Sequence, residues 1–384
     1  MTESATVPID EAEEINRADR KRRRDAQLGP ALKSSGEFVR DFSPPEFIWD
    51  GILQRGYLYS FTAVTGAGKT AVALLIAARF AQRQSICGRE TVGGRVVYLA
   101  GENADDVRMR WLGMAEKLNF DASAVDVHFI DGTFNLSERG DYVAEQIAEI
   151  GGCTLLIVDT SPAFFEGGDE NSNVELIAHA KTQRRFTRCS GRPAVLSLCH
   201  PTKNASGENL LPRGGGGFLA EVDGNLVAKN TDLTIEFHWQ GKLRGPGFEP
   251  VFFELAPTTA ECLKDTRGRS IMTVIARDLS RQEAEHRLGN VARLEDQVIL
   301  ALDGMAEPSI AAIAIQLNWI GATGEPQKSR VHNLLKRLVA DDLVSKDRRN
   351  QYKLTVKGEK EALKLTKIGA ETAERCSNAV DVER

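Results

Sequence analysis

The segment GYLYSFTAVTGAGKTAVALLIAARFAQ, residues 56–82, decides the fold of this chain. It joins a run of aromatic and aliphatic residues, a turn with two closely spaced glycines, and a long apolar stretch. The first part predicts a strand over 57–62, and the last part predicts a buried helix. Glycines in such a turn let backbone N–H groups approach phosphate oxygens, and the helix adds the positive end of its dipole. The segment therefore predicts a phosphate-binding loop.

The loop AVTGAGKT, residues 63–70, follows the pattern G-x-x-x-x-G-K-[ST] except that Ala63 stands where the first glycine belongs. In this pattern Lys69 reaches the β- and γ-phosphates of ATP, and the Thr70 hydroxyl binds Mg²⁺. A chance glycine turn before a helix is the alternative, and the flanking strand and helix argue against it. The predicted nucleotide-binding residues are Thr65, Gly66, Ala67, Gly68, Lys69, Thr70 and Ala71.

Short apolar runs and helical patterns alternate after the loop, and residues 222–255 then have a hairpin-like pattern. Continuous apolar strands that alternate with helices are typical of a parallel sheet covered on both faces. The sequence thus predicts an α/β fold with a mostly parallel sheet. The predicted strands after the loop are 95–101, 127–130, 154–160 and 194–200, and the predicted helices are 104–118, 140–150 and 174–189.

Three polar side chains end or follow the predicted strands. Asp159 ends the run TLLIVDT, where a carboxylate can hold Mg²⁺ opposite Thr70. Glu102 follows the strand 95–101, where a carboxylate can orient the attacking water. His200 ends AVLSLCH, where it would contact the γ-phosphate. The structural alternatives are an aspartate in a turn, an acid at a helix start and a loop histidine without a ligand. For Asp159 the phosphate loop favours the functional interpretation.

Four segments carry a resemblance to a known class: GILQRGYLYSFTAVTGAGKT, VVYLAGENADDVRMR, LLIVDTSPAFFEGGDENSN and LCHPTKN. Over about residues 45–255 the chain resembles the RecA/DnaB class of P-loop ATPases. It is most similar to RepA-like hexameric replicative helicases of plasmids and to related AAA-family ATPases of mobile elements. The resemblance implies a homo-oligomeric ring, ATP with Mg²⁺, a catalytic base at Glu102 and a γ-phosphate sensor at His200.

The resemblance also implies that basic residues from the adjacent subunit complete each site. Lys242 and Arg244, two apart in GKLRGPG, are similar to the lysine/arginine finger pair of DnaB-type rings. An arginine aimed at developing phosphoryl charge accelerates transfer by about 10³–10⁵. Arg213 is a rival finger. The segment LPRGGGG also fits a pore loop in which Lys203 and Arg213 would meet the phosphates of a single DNA strand.

A separate unit is predicted near the C-terminus. Helical patterns at 294–303, 309–318 and 327–340 precede SKDRRNQYKLTVKG, which predicts a short β-hairpin. Across 327–360 ten basic residues oppose four acidic ones, a local charge of +6. Three helices and a basic hairpin resemble a winged helix, whose third helix enters the major groove of duplex DNA. A protein-docking winged helix is the alternative. The predicted DNA-binding residues are Lys328, Arg330, Asn333, Arg337, Arg348 and Arg349.

Composition and charge limit the remaining possibilities. The net charge is −5, so DNA contact requires local basic patches. Six cysteines without CxxC spacing indicate a reducing, cytoplasmic setting, and we expect neither a secretory signal nor a membrane span. The predicted organisation is a charged, disordered or partly helical arm (1–40), a RecA-like ATPase domain (41–258), a linker (259–290), a winged helix (291–365) and a tail (366–384).

Together these features predict a Mg²⁺-dependent ATPase that forms a ring, expected to be a hexamer. It would couple ATP hydrolysis to unwinding or remodelling of DNA in the replication of a plasmid, phage or other mobile element. A single strand would pass through the pore, and duplex DNA would bind the winged helix. The alternative is an ATP-switched DNA-binding regulator or replication initiator without helicase activity. A P-loop kinase is disfavoured, since no lid-like arginine cluster is visible.

Overall fold

A computed structural model describes residues 32–165, 167–169, 172–203, 205, 209–213, 216–305, 308–321, 324–347 and 351–367. Several predictions concern residues outside these ranges. They are the arm up to residue 31, most of the tail from residue 368, the two hairpin residues Arg348 and Arg349, and part of the glycine-rich loop at 214–215.

The described residues form two units, 32–46 and the chain from Phe47 onward. The first contains one short helix, whose Ser34 and Glu37 make a reciprocal capping box. The helices with named bounds are α1 Ser35–Val39, α2 Lys69–Ala81, α3 Ala104–Leu118, α4 Leu136–Glu149, α5 Asn173–Arg185, α6 Gly217–Glu221, α7 Arg281–Asp303, α8 Ile310–Gln316 and α9 Lys328–Ala340. A further helix covers residues 356–367.

A sheet of nine strands lies at the centre of the described part of the second unit. The strands up to residue 279 are β1 Phe47–Trp49, β2 Leu53–Gln54, β3 Leu58–Thr62, β4 Val96–Ala100, β5 Val127–Asp131, β6 Leu155–Asp159, β7 Ala194–Cys199, β8 Gly224–Thr231, β9 Thr234–Leu243, β10 Val251–Thr258 and β11 Thr273–Leu279, of which β1 and β2 form a separate pair. The order in the large sheet is β11-β10-β9-β8-β3-β7-β6-β4-β5, with parallel pairing from β8 to β5 and antiparallel pairing from β8 to β11. This confirms the α/β fold with a mostly parallel sheet.

Helices cover both faces of the parallel strands. Alternate residues of each strand enter two different cores, because successive side chains of a strand point to opposite faces. Tyr98 packs in the core beneath α2 and α3, whereas its neighbours Val97 and Leu99 pack in the core beneath α4 and α5. Strands buried on both faces need continuous apolar sequence, which explains the runs seen in the chain.

The segment 259–290, predicted to be a linker, contains regular secondary structure. It contains β11, which pairs with β10 along seven residues and extends the sheet beyond position 258. This strand also contacts α2 and α3, and Asp278 pairs with Arg79 of α2 at 2.7 Å. Helix α2 is therefore enclosed by the parallel strands on one side and by the antiparallel end of the sheet on the other.

The C-terminal elements share their own apolar core. Helices α7, α8 and α9 pack with a two-stranded hairpin, β12 Val344–Lys346 and β13 Tyr352–Leu354. Helix α7 begins at Arg281, ten residues before the predicted boundary at 291. Its first turns pack on the sheet through Ala284 and Leu288, and its last turns belong to the C-terminal core. Among the described residues, no helix combines the length and apolar composition that a membrane crossing requires.

Candidate nucleotide-hydrolysis site

The predicted catalytic side chains of the core gather at one edge of the sheet. Strands β3, β7, β6 and β4 are adjacent and parallel, so their carboxyl ends lie side by side. The phosphate loop follows β3, and His200 directly follows β7. Asp159 is the last residue of β6, and Glu102 comes two residues after β4. This is the edge at which open parallel sheets bind ligands.

The phosphate loop has the backbone conformation that its glycines allow. Gly66 and Gly68 adopt φ values of 79° and 95°, which lie in the left-handed region that favours glycine. A Cβ at Gly68 would also lie 2.7 Å from a methyl group of Leu255. Ala63 does not adopt a positive φ, and its side chain is fully buried. The alanine at this position therefore fits without backbone strain.

The Lys69 ammonium lies inside the loop. Its Nζ donates to the carbonyl oxygens of Ala63 at 2.7 Å and Val64 at 3.3 Å. Burial lowers the pKa of Lys69, and the nearby Asp159 carboxylate opposes this shift. The side chain is 7% exposed. A buried cation at the amino end of α2 is suited to bind phosphate oxygens, because both the charge and the helix dipole attract anions.

Asp159 and Thr70 form the candidate metal position. The Thr70 hydroxyl lies 3.3 Å from Asp159 Oδ1, and the buried Tyr98 hydroxyl donates to Oδ2 at 2.5 Å. Burial raises the pKa of Asp159 to about 6, while the two hydrogen bonds act in the opposite direction. A desolvated carboxylate beside a hydroxyl offers the hard oxygen ligands that Mg²⁺ prefers, and a bound cation would offset the desolvation. These residues therefore fit Mg²⁺.

Glu102 lies across the edge from Asp159 and is held by two contacts. Thr160 Oγ1 donates to Glu102 Oε1 at 2.6 Å, and His200 Nε2 lies 3.7 Å from the same oxygen. Its side chain is 57% exposed, so water reaches it. Burial lowers the pKa of His200, and the positive charge of Lys69 contributes to that shift. His200 Nδ1 also lies 3.5 Å from the Thr65 hydroxyl of the phosphate loop.

Of these groups, Lys69, Thr70, Glu102, Thr160 and His200 border one open cleft of about 330 Å³. Its phosphate end is formed by the loop, Glu102, Thr160 and His200. The cleft is also lined by Arg110 of α3, by Asn230 and Leu233 at the turn between β8 and β9, and by Leu255 and Val274 of the antiparallel strands, and a Leu255 methyl group lies close to Gly68 of the loop. The volume is within the range of sites for small molecules. The cleft can hold a triphosphate beside a metal position and a carboxylate that accepts a proton from water.

Lys242 and Arg244 do not border this cleft. They lie at the end of β9 that pairs with Gly224, toward the amino end of β3, whereas the phosphate loop follows its carboxyl end. The Lys242 ammonium donates to the carbonyl oxygens of Leu219 and Ala220. Arg244 Nε lies 3.3 Å from the buried Asp223 carboxylate, yet its side chain is 64% exposed. Neither cation serves the site of its own chain in this conformation.

Arg213, the rival finger, has a different position. Its backbone N–H donates to the carbonyl oxygen of His200 at 2.8 Å. Its side chain lines a small, mostly apolar cavity together with His200, Cys199 and the buried His179. Arg213 therefore lies beside the phosphate end of the cleft in its own chain. Lys203, proposed with it as a pore residue, is exposed.

The predicted DNA-binding residues divide into two groups. Lys328, Arg330 and Asn333 are exposed on α9, and the Arg330 guanidinium stacks over the Trp319 ring at 4.5 Å. Arg337, seven residues after Arg330 on the same side of α9, is less exposed. Its Nε pairs with Glu295 of α7 at 2.7 Å, and about a quarter of its side chain is exposed. Arg337 therefore bridges two helices, and its contact with DNA stays a prediction.

Sequence patterns did not reveal three residues of the site: Tyr98, which bonds Asp159, and Thr160 and Leu233, which border the cleft. Tyr98 lies within an apolar run, where spacing cannot distinguish a hydrogen-bonding side chain from a packing one. Thr160 directly follows Asp159 in the chain, so its sequence position next to a predicted metal ligand could have identified it as a site residue. Leu233 occupies a hairpin turn, where a leucine is unusual.

The fold and this edge of the sheet define a P-loop nucleotide-binding core. In agreement, residues 23–206 match the sequence model of a family described as an AAA domain. The match supports an ATPase of the P-loop AAA type, and such a domain implies nucleotide binding, usually with Mg²⁺. It includes the phosphate loop, Glu102, Asp159 and His200, and it ends before Arg213 and the C-terminal unit. No curated protein matches the chain.

Proposed function

We propose that this protein is a Mg²⁺-dependent ATPase of the RecA/DnaB type that assembles into a ring and couples ATP hydrolysis to unwinding or remodelling of DNA. The observation that carries the proposal is the convergence of Lys69, Thr70, Asp159 and Glu102 at one sheet edge. A lysine, a hydroxyl and two carboxylates in this arrangement are the parts that phosphoryl transfer to water requires.

In this proposal each side chain has a separate role. Lys69 and the loop N–H groups bind the triphosphate, and Thr70 with Asp159 holds Mg²⁺, which neutralises charge on the β- and γ-phosphates. Glu102 orients the attacking water and accepts its proton, while the Thr160 hydroxyl fixes one carboxylate oxygen of Glu102. His200 lies between the loop and Glu102, where it would detect loss of the γ-phosphate.

The positions of Lys242 and Arg244 support a ring. Neither residue borders the cleft of its own chain, and the Arg244 guanidinium, although it pairs with Asp223, is exposed and could meet a neighbouring subunit. A finger supplied in trans would make hydrolysis depend on subunit contact. A hexamer follows from the resemblance to RepA-like helicases. The place of Arg213 beside its own His200 makes it a second candidate for contact with the γ-phosphate.

The C-terminal unit supports a contact with duplex DNA. It has three helices and a two-stranded hairpin, and α9 exposes Lys328, Arg330 and Asn333. In a winged helix this helix would enter the major groove, and its exposed cations would contact phosphates and base edges. DNA contact would thus target the ATPase to its substrate.

Strand displacement on forked DNA tests this proposal. We expect ATP-dependent displacement by the wild type and none by Lys69→Ala, with Lys264→Ala as a matched control because Lys264 is exposed and outside the cleft. Absence of ATP hydrolysis by the wild type, with and without DNA, would overturn the assignment of the site.

A second candidate function is an ATP-switched DNA-binding regulator or replication initiator without helicase activity. The separate apolar core of the C-terminal unit favours it, since this unit can present α9 to duplex DNA without a ring. The same assay distinguishes the two functions. ATP hydrolysis without strand displacement, together with a duplex affinity that changes with ATP, would support the regulator.

A further inference from the structure

The central sheet contains a fully buried amide, that of Asn225. Asn225 is the second residue of β8, which pairs with β3. Its Oδ1 accepts hydrogen bonds from the hydroxyl groups of Ser60 at 2.9 Å and Thr62 at 2.8 Å. Thr62 is the last residue of β3, so it directly precedes the phosphate loop. One side of the amide is therefore bonded to the strand that positions the loop.

The other side of the amide holds a segment outside the sheet. Asn225 Nδ2 donates to the carbonyl oxygen of Leu210 at 2.9 Å and to that of Gln240 at 3.1 Å. The Leu210 N–H in turn donates to Gln240 Oε1 at 2.7 Å. Side chains from β8 and β9 thus bond both backbone polar groups of the buried Leu210. All the hydrogen-bonding positions of the Asn225 amide are used, as its burial requires.

Leu210 begins a short segment that runs back toward the nucleotide site. Thr202 N donates to Leu211 O at 3.1 Å, and Arg213 N donates to His200 O at 2.8 Å. The segment is thereby paired with the residues that follow β7. Because Arg213 comes only three residues after Leu210, the hydrogen bonds at Leu210 help to determine where Arg213 lies.

The Asn225 side chain is not needed to pair the strands, since backbone hydrogen bonds already join β8 to β3 and to β9. What the side chain adds is a connection between β3 and the segment that carries Arg213. The Arg213 side chain lines a cavity together with His200. Burial lowers the pKa of His200, and the positive charge of Arg213 contributes to that shift. The charge of Arg213 therefore reaches the residue proposed to detect the γ-phosphate.

We propose that Asn225 is a positioning residue for ATP hydrolysis, because its amide fixes the segment that carries Arg213 relative to the phosphate loop. This inference rests on the proposed ATPase function, and it takes Arg213 as a residue that acts on the γ-phosphate in its own chain. Asn225 is not among the described residues that border the cleft, so it acts only through Arg213. A displacement of about 1 Å in a group that stabilises the transition state can lower the rate about 100-fold.

Two variants loosen the segment to different degrees. Asn225→Ala removes the amide, whereas Gln240→Met removes only the acceptor of the Leu210 N–H. Gln240→Glu keeps an acceptor oxygen at that position. The matched control is Gln82→Met, at a partly buried glutamine whose Nε2 donates to the Ala78 carbonyl oxygen near the end of α2.

ATPase rates at saturating ATP, compared with calorimetric affinities for the β,γ-imido analogue of ATP with Mg²⁺, separate a rate effect from a binding effect. We expect kcat to fall about 10- to 100-fold in Asn225→Ala and about three- to tenfold in Gln240→Met, with affinity unchanged. Gln240→Glu should recover most of the rate lost in Gln240→Met, and Gln82→Met should match the wild type.

A double variant tests whether the effect passes through Arg213. Arg213→Ala combined with Gln240→Met should be no slower than Arg213→Ala alone, because a residue that acts only through Arg213 has no effect without it. A further loss of rate in the double variant, a wild-type rate in Gln240→Met or in Arg213→Ala, or no recovery in Gln240→Glu would overturn the proposal. Gln240→Met decides the question if Asn225→Ala does not fold. Absence of ATP hydrolysis by the wild type would instead contradict the proposed function.

Discussion

Tyr98 donates a 2.5 Å hydrogen bond to Oδ2 of Asp159 from the neighbouring strand of the sheet. The tyrosine is fully buried, and burial raises its pKa well above the usual value, so the hydroxyl remains protonated. The other carboxylate oxygen faces Thr70. Tyr98 therefore fixes the orientation of the carboxylate without bordering the cleft itself.

Replacement of Tyr98 by phenylalanine should weaken the affinity for Mg²⁺ that is measured during ATP hydrolysis, without loss of the fold. Hydrogen bonds that orient a metal-binding carboxylate are worth about 10–100-fold in metal affinity, so the Mg²⁺ concentration at half-maximal rate should rise within that range. The bond from Tyr98 lowers the pKa of Asp159, so its loss should also move the acidic limb of the pH–rate profile to higher pH.

Tyr57→Phe is a suitable control, since Tyr57 also lies in the core region but does not contact Asp159. A Tyr98→Phe enzyme with the wild-type Mg²⁺ response and pH profile would show that the hydrogen bond has no role in metal binding.

Replacement of Asp159 by asparagine should stabilise the metal-free protein at neutral and alkaline pH while it abolishes ATPase activity. The native carboxyl has a pKa of about 6, above its usual 3.8, so the native state binds the proton more tightly than the unfolded state. Wild-type stability therefore falls as pH rises from about 4 to about 6 and stays lower above that window. We expect a gain of about 1–3 kcal/mol in the free energy of unfolding at pH 8.

Thermal unfolding in EDTA at pH 8 and at pH 4 measures this difference. The gain should disappear at the lower pH, where the wild-type carboxyl is neutral. Asp50→Asn, at an exposed position, should show no gain at either pH. A destabilised Asp159→Asn variant at pH 8 would contradict the interpretation that desolvation dominates at this carboxyl.

Mixtures of two inactive variants test the trans role of Arg244. Lys69→Ala removes the phosphate ligand and should abolish hydrolysis, and Arg244→Ala should reduce it by about 10³-fold or more if the residue is a finger. In mixed assemblies some sites would combine an intact Lys69 with an intact Arg244 from the neighbour. We expect partial recovery of the ATPase rate on mixing. Purely additive rates at every ratio would exclude a trans role for Arg244.

Duplex DNA binding should distinguish Arg330 from Arg337. Arg330→Ala removes an exposed cation of α9, so it should weaken binding and reduce the slope of log affinity against log salt by about 1. Arg337→Ala breaks the pair with Glu295 and should lower the melting temperature without a change in that slope. Fluorescence anisotropy at several salt concentrations measures both. Equal slopes for the wild type and Arg330→Ala would place the DNA-binding surface elsewhere.

The sequence was sufficient to predict the parallel half of the sheet. Strands buried on both faces require unbroken apolar runs, so β4, β6 and β7 were located to within one or two residues. The phosphate loop and Asp159 could be predicted equally well, because their chemistry requires specific residue types at fixed distances from strand ends. These features depend on local sequence alone.

The antiparallel edge was not predictable in the same way. Strand β11 carries Arg277 and Asp278 in TVIARDL, and such charges suit a sheet edge but obscure the strand pattern. The early start of α7 did have a signal, since Ser280 and Glu283 form a capping box. The contact of Tyr98 with Asp159 joins residues far apart in the chain, so no local pattern could reveal it.

Helix α7 is one unbroken helix whose first turns pack on the sheet and whose last turns pack in the C-terminal core, so the two ends move together. Its 23 residues span about 35 Å at about 1.5 Å per residue. Its base adjoins β11, which contacts the helix that begins at Lys69. A tilt of about 5° at the first turn of α7 would displace its last turn by about 3 Å. Helix α7 would therefore act as a stiff lever that converts a small displacement near a bound nucleotide into a larger displacement of α9.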